Sequence, residues 1–493
     1  MHNLGLSWHW RIVYSIPKVA PFLYAPNTQV KSMRIEHDLI GELAIEKDVY
    51  YGIQTQRAVN NFALTENKLS QYPELIKSLA FVKSACCQAN HKLGLLAEEK
   101  RNVLVSACQA IVNGEHHDQF PVDMIQGGAG TSSNMNMNEV LANVALESMG
   151  YELGQYEYLH PNTHVNMSQS TNDVYPTSIR LAVLLNQKNM LDELSLLVDS
   201  FKQKGQEFND VLKLARTQLQ DAVPMTLGQE FKSFASTLNE DVRLISNNSN
   251  LLKEINLGGT AVGTGINTLS AYGPIAVEIL SELTDINFKP AEDLIEASSD
   301  MGAFVIYSAS LKRLALKLSK IANDLRLLSM GPKAGLAEIS LPARQPGSSI
   351  MPGKVNPVIP EAVSQCAYQV VGKDMAITMA AEAGQLQLNA MEPLIAFNLL
   401  DMQNLLSNAI RMFRTLCVEG IKANENRCKQ LLEQSLGLVT ALNPHLGYEK
   451  TSAIAKQALS SDTPLIELVK QQGLLSDEEI KEILVATKMT QPN

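Results

Sequence analysis

Residues 311–328 read LKRLALKLSKIANDLRLL. Leu311, Leu314, Leu318, Ile321, Leu325 and Leu328 recur at steps of three and four, so all six lie on one stripe of a single long helix. Gly331-Pro332 ends it, because proline cannot continue the hydrogen-bond ladder. The signal spreads outward from there. Phe231, Leu238, Ile245 and Leu252 sit seven apart and mark a second helix. Leu191, Leu194, Val198 and Phe201 mark a third, begun after Pro176, and a fourth is expected from about Pro360 to the region of Gly384. Seven-residue spacing sustained over several helices means a bundle with shallow crossing angles. Helices this long cannot all cover their apolar stripes within one chain, so an oligomer is expected. The stripes are core and carry no chemistry.

Composition sets the outer bounds. The chain has 493 residues, enough for two to four domains or one large helical body with appendages. With 45% hydrophobic and 19% charged residues it is globular rather than disordered. A net charge of -10 with no strongly basic segment argues against nucleic acid as a partner. The longest apolar runs fall far short of a membrane helix. Cys86, Cys87, Cys108, Cys366, Cys417 and Cys428 form no C-x-x-C pair, and with no secretory signal they point to a reducing, cytoplasmic setting. The first 32 residues differ from the rest. They hold both tryptophans and three prolines but no unbroken apolar region, and they read as a disordered extension ahead of Met33. A change of pattern near Asn424 suggests a short C-terminal domain of smaller helices.

Between the stripes lie three polar stretches marked by glycine or proline. The first, Gly127 to Glu139, combines glycines with hydroxyls and amides suited to carboxylate oxygens. It also reads as a flexible turn capped before a helix at Glu139. The second, His160 to Asp173, holds almost nothing that could pack a core. Buried, its polar groups would need partners or a ligand; exposed, it is a solvated loop. His160 and His164 suggest a metal pair, but Pro161 between them breaks the helical geometry such a pair needs. The third, Gly347 to Pro357, alternates glycine and proline around two serines, a lysine and an asparagine. It suits a loop that closes over a substrate and brings a cation, against the plainer reading of a long connection. Gly259 to Gly265 is glycine-rich but is not G-x-G-x-x-G, follows no convincing strand and has no βαβ pattern around it, so nucleotide binding is discounted.

Gly347-Ser-Ser-Ile-Met-Pro-Gly-Lys-Val-Asn-Pro357 resembles the signature of the fumarase/aspartase superfamily. Gly128-Ala-Gly-Thr-Ser132 and Ser168-Gln-Ser-Thr-Asn-Asp173 resemble its other two active-site segments, in the expected order. Tyr50 to Ile53 with Arg57, Gln220 to Glu230, Pro290 to Glu296 and Met379 to Leu388 are similar to the aspartate ammonia-lyases within it. The resemblance covers the chain from about Met33 to the C-terminus. It implies a mainly α, three-domain fold with a long central helical bundle. The boundaries would be an extension at 1–32, an N-terminal lyase domain at 33–168, the bundle at 169–423 and a small helical domain at 424–493. It also implies a homotetramer with a twenty-helix core and active sites each shared by three subunits.

The implied activity is removal of ammonia from L-aspartate to give fumarate. Ser348 would be the general base. Lys354, Asn356 and Thr217 would hold the α-carboxylate, and Thr131, Ser170, Thr171 and Ser349 the β-carboxylate. Asn172 would help place the amino group, and Arg57 is similar to an arginine that assists substrate binding. No cofactor is implied; a divalent ion can activate such enzymes, but no ligand set stands out. Fumarases carry a histidine in the segment that here reads Arg216-Thr-Gln-Leu-Gln220. Gln218 can hydrogen-bond but cannot exchange a proton near neutral pH, which favours loss of ammonia over loss of water. Glu361 would be its neighbour. The alternatives are fumarate hydratase, another amino-acid lyase of the superfamily, or a structural lens-type relative, although the last should have lost catalytic groups that this chain retains. Two positions depart from the family pattern: Thr163 and Met167 stand where aspartate and lysine are usual.

Overall fold

The computed structural model describes residues 32–461, 463–485 and 489–490; the extension expected at 1–32 lies outside them except for Ser32. Five helices form the centre: α1 (Thr171–Glu207), α2 (Leu227–Asn248), α3 (Gly302–Leu328), α4 (Val358–Glu382) and α5 (Glu392–Leu416). Each packs on the next and α5 returns to α1, so the helices close a ring. All six residues of the α3 stripe are buried, each contributing ~1.5–3 kcal/mol of transfer free energy. Phe231, Leu238, Ile245 and Leu252 are also buried, the last just past the end of α2.

Directions follow from side-chain pairs. Asn186–Asn404, Asn189–Ser407 and Glu193–Arg411 keep one constant offset along the chain, so α1 and α5 run the same way. Ser310–Asn248 and Arg313–Asp241 make α3 antiparallel to α2; Ser308–Asp374 and Ser319–Ser364 make it antiparallel to α4. The loops after α1, α3 and α5 therefore share one end of the bundle. The start of α1 and the loop between α2 and α3 share the other. At 1.5 Å per residue, the 37 residues of α1 span about 55 Å and the 27 residues of α3 about 40 Å, so the ends are tens of ångströms apart.

The third helix starts earlier than its sequence suggests: Pro176 lies inside α1 instead of before it. Proline removes the amide that would bond the carbonyl four residues back, at Asn172. Here the Asn256 side chain donates to that carbonyl at 2.9 Å, so the helix passes through the proline without an orphaned acceptor. The glycine-rich stretch corrects a second expectation. It does follow a strand, Glu254–Ile255, which pairs in parallel with Lys289–Pro290 across the helix Tyr272–Thr284. Each strand is only two residues long, and the loop's amides at Gly258 and Thr260 are already bonded to Asp173.

One core runs through the N-terminal region and the bundle, and a second gathers Leu432, Leu442, Ile454, Leu468 and Ile480 around Leu214. Leu214 belongs to a hairpin, Leu212–Thr217 with Gln220–Thr226, that leaves the end of α1. Among the described residues strands occur only in such two-stranded pairs, and no helix is long and apolar enough to cross a membrane.

Candidate active site

The first two polar stretches meet. Thr131 opens an 18-residue helix, Thr131–Ser148, and Thr171 opens α1. The helix therefore begins eight residues before Glu139, and the run Asn134–Asn138 lies within it. Gly130 sits against the Tyr175 ring so closely that an added Cβ would fall 2.2 Å from a ring carbon. Asn134 donates to Thr171 Oγ1 at 3.1 Å. Two helix N-termini thus converge, and their positive dipole ends favour an anion.

The hydroxyls there are not alike. Ser170 Oγ accepts the Asn172 amide in a capping box with Asp173, leaving its proton free. Thr131 Oγ1 donates to the Gly128 carbonyl at 2.7 Å and would have to turn to meet a ligand. Asn172 Nδ2 donates to the Ala261 carbonyl at 2.7 Å. Beneath them Asp173 is fully buried and accepts the amides of Ser170, Gly258 and Thr260. Burial pushes its carboxyl up to about 6 against the pull of those amides. Lys83, also buried, donates to Asn166 Oδ1 and Gln169 Oε1, and burial pushes its ammonium down to about 7.

The third stretch lies at the other end of the bundle, between α3 and α4. Its ends are braced: the Gly347 amide donates to the Lys354 carbonyl at 2.7 Å, and Asn356 Nδ2 to the Gly347 carbonyl at 2.9 Å. Ser348 Oγ accepts the amides of Ile350 and Met351 at 3.2 and 3.1 Å. Ser349 and Lys354 are exposed. Thr217 and Gln218 occupy the tip of the hairpin at this same end, where Gln218 and Leu219 both take positive φ, as a two-residue turn requires. The neighbouring Arg216 pairs at 3.0 Å with buried Glu338, just before the serine loop.

One chain therefore holds two half-sites. Thr131, Ser170, Thr171 and Asn172 are together at one end; Thr217, Gln218, Ser348, Ser349, Lys354 and Asn356 are at the other. Glu361 pairs with Arg326 at 3.8 Å, and no hydrogen bond joins it to Gln218 among the described residues. Arg57 belongs to the N-terminal region, where Asp38 grips it in a two-pronged pair at 2.8 and 2.9 Å. His160 and His164 serve the backbone: His160 Nδ1 accepts the amides of Asn162 and Thr163, and His164 Nδ1 accepts that of His160. Among the described residues no cluster of three His, Cys, Asp or Glu side chains could hold a metal. Of the two family departures, Thr163 is exposed, and Met167 packs against the core. The sequence reading gave no role to Lys83, Asn134 or Asn166; Asn134 and Asn166 lie within the first two polar stretches, and Lys83 is a charged residue at a buried helix position.

The family description "Lyase" matches residues 41–372, and "Fumarase C C-terminus" matches residues 438–491. The chain belongs to the fumarase/aspartase lyase family. Within this lyase family it is similar to the aspartate ammonia-lyase of Pseudomonas aeruginosa, 58% identical over 94% of this chain and 98% of that protein. The aspartate ammonia-lyase of Escherichia coli is 49% identical over 94% and 97%. Among solved lyase structures, the cobalt-bound fumarate lyase:delta crystallin from Brucella melitensis has a TM-score of 0.91 and 53% identity, covering 94% of this chain and all of that one. The class II fumarase from Schistosoma mansoni has a TM-score of 0.88 at 35% identity, with the same coverage.

Proposed function

We propose that this lyase removes ammonia from L-aspartate to give fumarate, with Ser348 as the base that takes the Cβ proton. The observation that carries the base assignment is the pair of amides aimed at Ser348 Oγ. A serine hydroxyl is a weak base because its alkoxide is costly; two fixed donors on that oxygen stabilise the charged form. Lys354 on the same loop supplies a cation, and no ion pair engages it among the described residues.

The carbon acid needs help as well. Removing the Cβ proton places a second negative charge on the β-carboxylate side, as an aci-carboxylate. Thr131, Ser170, Thr171 and Ser349 are short neutral donors suited to those oxygens, and each fixed donor is worth ~2.7–4 kcal/mol in well-measured oxyanion sites. Ammonia leaves as a neutral molecule, so Gln218 need not deliver a proton. Relatives 49–58% identical that carry the name aspartate ammonia-lyase support the substrate. The chemistry calls on no cofactor. A divalent activator remains part of the proposal without a located site.

Arg344, at the base of the serine loop, bonds the Leu416 carbonyl, which the α1–α5 register sets level with Val198, so the two half-sites lie roughly 40 Å apart along the bundle and a complete site needs more than one chain. We propose a homotetramer in which four five-helix rings make the twenty-helix core and each site draws on three subunits. Tyr368, Met375 and Met379 support it: they form one apolar stripe on α4 and are 63%, 59% and 66% exposed. A cytoplasmic location is proposed with it, supported by six cysteines that are all free.

The test is the ultraviolet absorbance of fumarate's conjugated double bond, followed separately with L-aspartate and L-malate. Fumarate from aspartate is expected. Fumarate from malate alone would overturn the substrate and favour hydration.

A further inference from the structure

The polarity of the hydrogen bonds around Thr171 follows from atoms that can only accept. Asn166 Nδ2 donates to the Gln169 carbonyl at 3.2 Å, so Asn166 Oδ1 must face the opposite way. There it receives Lys83 Nζ at 2.9 Å, Asn138 Nδ2 at 3.1 Å and Asn134 Nδ2 at 3.2 Å. Gln169 is locked in the same manner: its Nε2 bonds the Val165 and Met167 carbonyls, which leaves Oε1 for Lys83. Since Asn166 presents an acceptor, Asn134 must turn its amide nitrogen inward. That same nitrogen donates its second hydrogen to Thr171 Oγ1. Asn134 Oδ1 is consequently buried with no partner, although Asn134 is only 1% exposed. The Thr171 hydroxyl already accepts from the protein, and among the described residues its own proton has no acceptor.

We infer that Asn134 is a positioning residue for the carboxylate subsite, occupying an acceptor lone pair of the Thr171 hydroxyl so that its proton turns toward the substrate anion. The inference rests on the proposed function in placing a dicarboxylate at Thr171. Asn166, pinned by the Gln169 carbonyl, sets the direction of the chain of bonds. An oxygen that could both give and take would lose part of its preference for an anion. Here the protein occupies one accepting position beforehand and biases the proton outward, so the donor is in place when negative charge grows on the β-carboxylate.

The test is a double-mutant cycle on the intact enzyme, with Asn134→Leu, Thr171→Val and the pair, reading kcat and KM for L-aspartate. Asn134→Leu is expected to lower kcat/KM ~10-fold or more, chiefly through kcat. In the Thr171→Val background the same change is expected to cost less than ~2-fold, because the hydroxyl it acts on is gone. Equal losses in both backgrounds would overturn the role and leave Asn134 as packing. Should the leucine variant fail to fold, the isosteric Asn134→Asp carries the test. Its carboxylate takes the Thr171 proton, so kcat should fall at least as far; a folded Asp variant with wild-type kinetics would overturn the inference. A wild-type enzyme that yields no fumarate from aspartate removes the function reading. An active wild type with additive variants removes only the role of Asn134.

Discussion

At the scale of single residues, the short hydroxyl and amide side chains were readable from sequence because their chemistry is local. What each oxygen is free to do was not. Ser348 Oγ has two amide hydrogens on it, whereas Thr131 Oγ1 has its proton tied to Gly128. That difference depends on backbone placement within a turn. Ser348→Ala removes the oxygen and leaves the turn's amides to water. Turnover is expected to fall by at least ~10²–10⁴-fold, the range for a general base, with the assembly unchanged by light scattering. An active Ser348→Ala enzyme would remove the base. Lys354→Ala should act mainly on binding, raising KM ~10-fold or more with a smaller change in kcat; an unchanged KM would contradict its place on the α-carboxylate. Arg57 shows the limit of residue-by-residue reading. Its partner Asp38 lies across a hairpin, and the pair occupies two of its guanidinium nitrogens.

At the scale of elements, the long helices were legible because an apolar stripe repeats over many turns, and α3 carries its stripe fully buried. Their starts were harder. A proline normally argues for a boundary, and only the Asn256 side chain, about 80 residues downstream, lets α1 run through Pro176. The hairpin that carries Thr217 and Gln218 was equally hidden, since non-glycine residues with positive φ leave no mark in a sequence. The Asn256 bond gives a prediction. Asn256→Leu leaves the Asn172 carbonyl without its donor and is expected to destabilise the fold by ~1–3 kcal/mol in denaturant titration. Pro176→Ala restores an amide four residues on from that carbonyl, so adding it to Asn256→Leu should recover part of the loss. No recovery would mean that Asn256 matters through its other bond, to Ser298 Oγ at 3.1 Å.

At the scale of the whole molecule, the decisive fact is direction. Because α1, α3 and α5 run the same way, the serine loop and the Thr131–Thr171 cluster are held at opposite ends of a stiff ring, and no loop motion can bridge ~40 Å. Sequence order alone could not reveal this, since segments far apart in a chain are often neighbours in a fold. The separation makes a strong demand on any shared-site assembly. A chain with Ser348→Ala still has a sound donor cluster, and a chain with Thr171→Val still has a sound serine loop. Ser348→Ala alone should be nearly inactive, and Thr171→Val alone strongly impaired but still measurable. Unfolded together and refolded as a mixture, they should regain activity, because some sites then draw their loop from one variant and their donors from the other. Mixing the folded variants without refolding should restore far less if the assembly exchanges slowly. Met375→Glu, placed on the exposed α4 stripe, should block the recovery by breaking the assembly, seen as a smaller mass in light scattering. Refolded mixtures that stay as inactive as their parents, while each variant assembles normally, would mean that the half-sites do not complete one another.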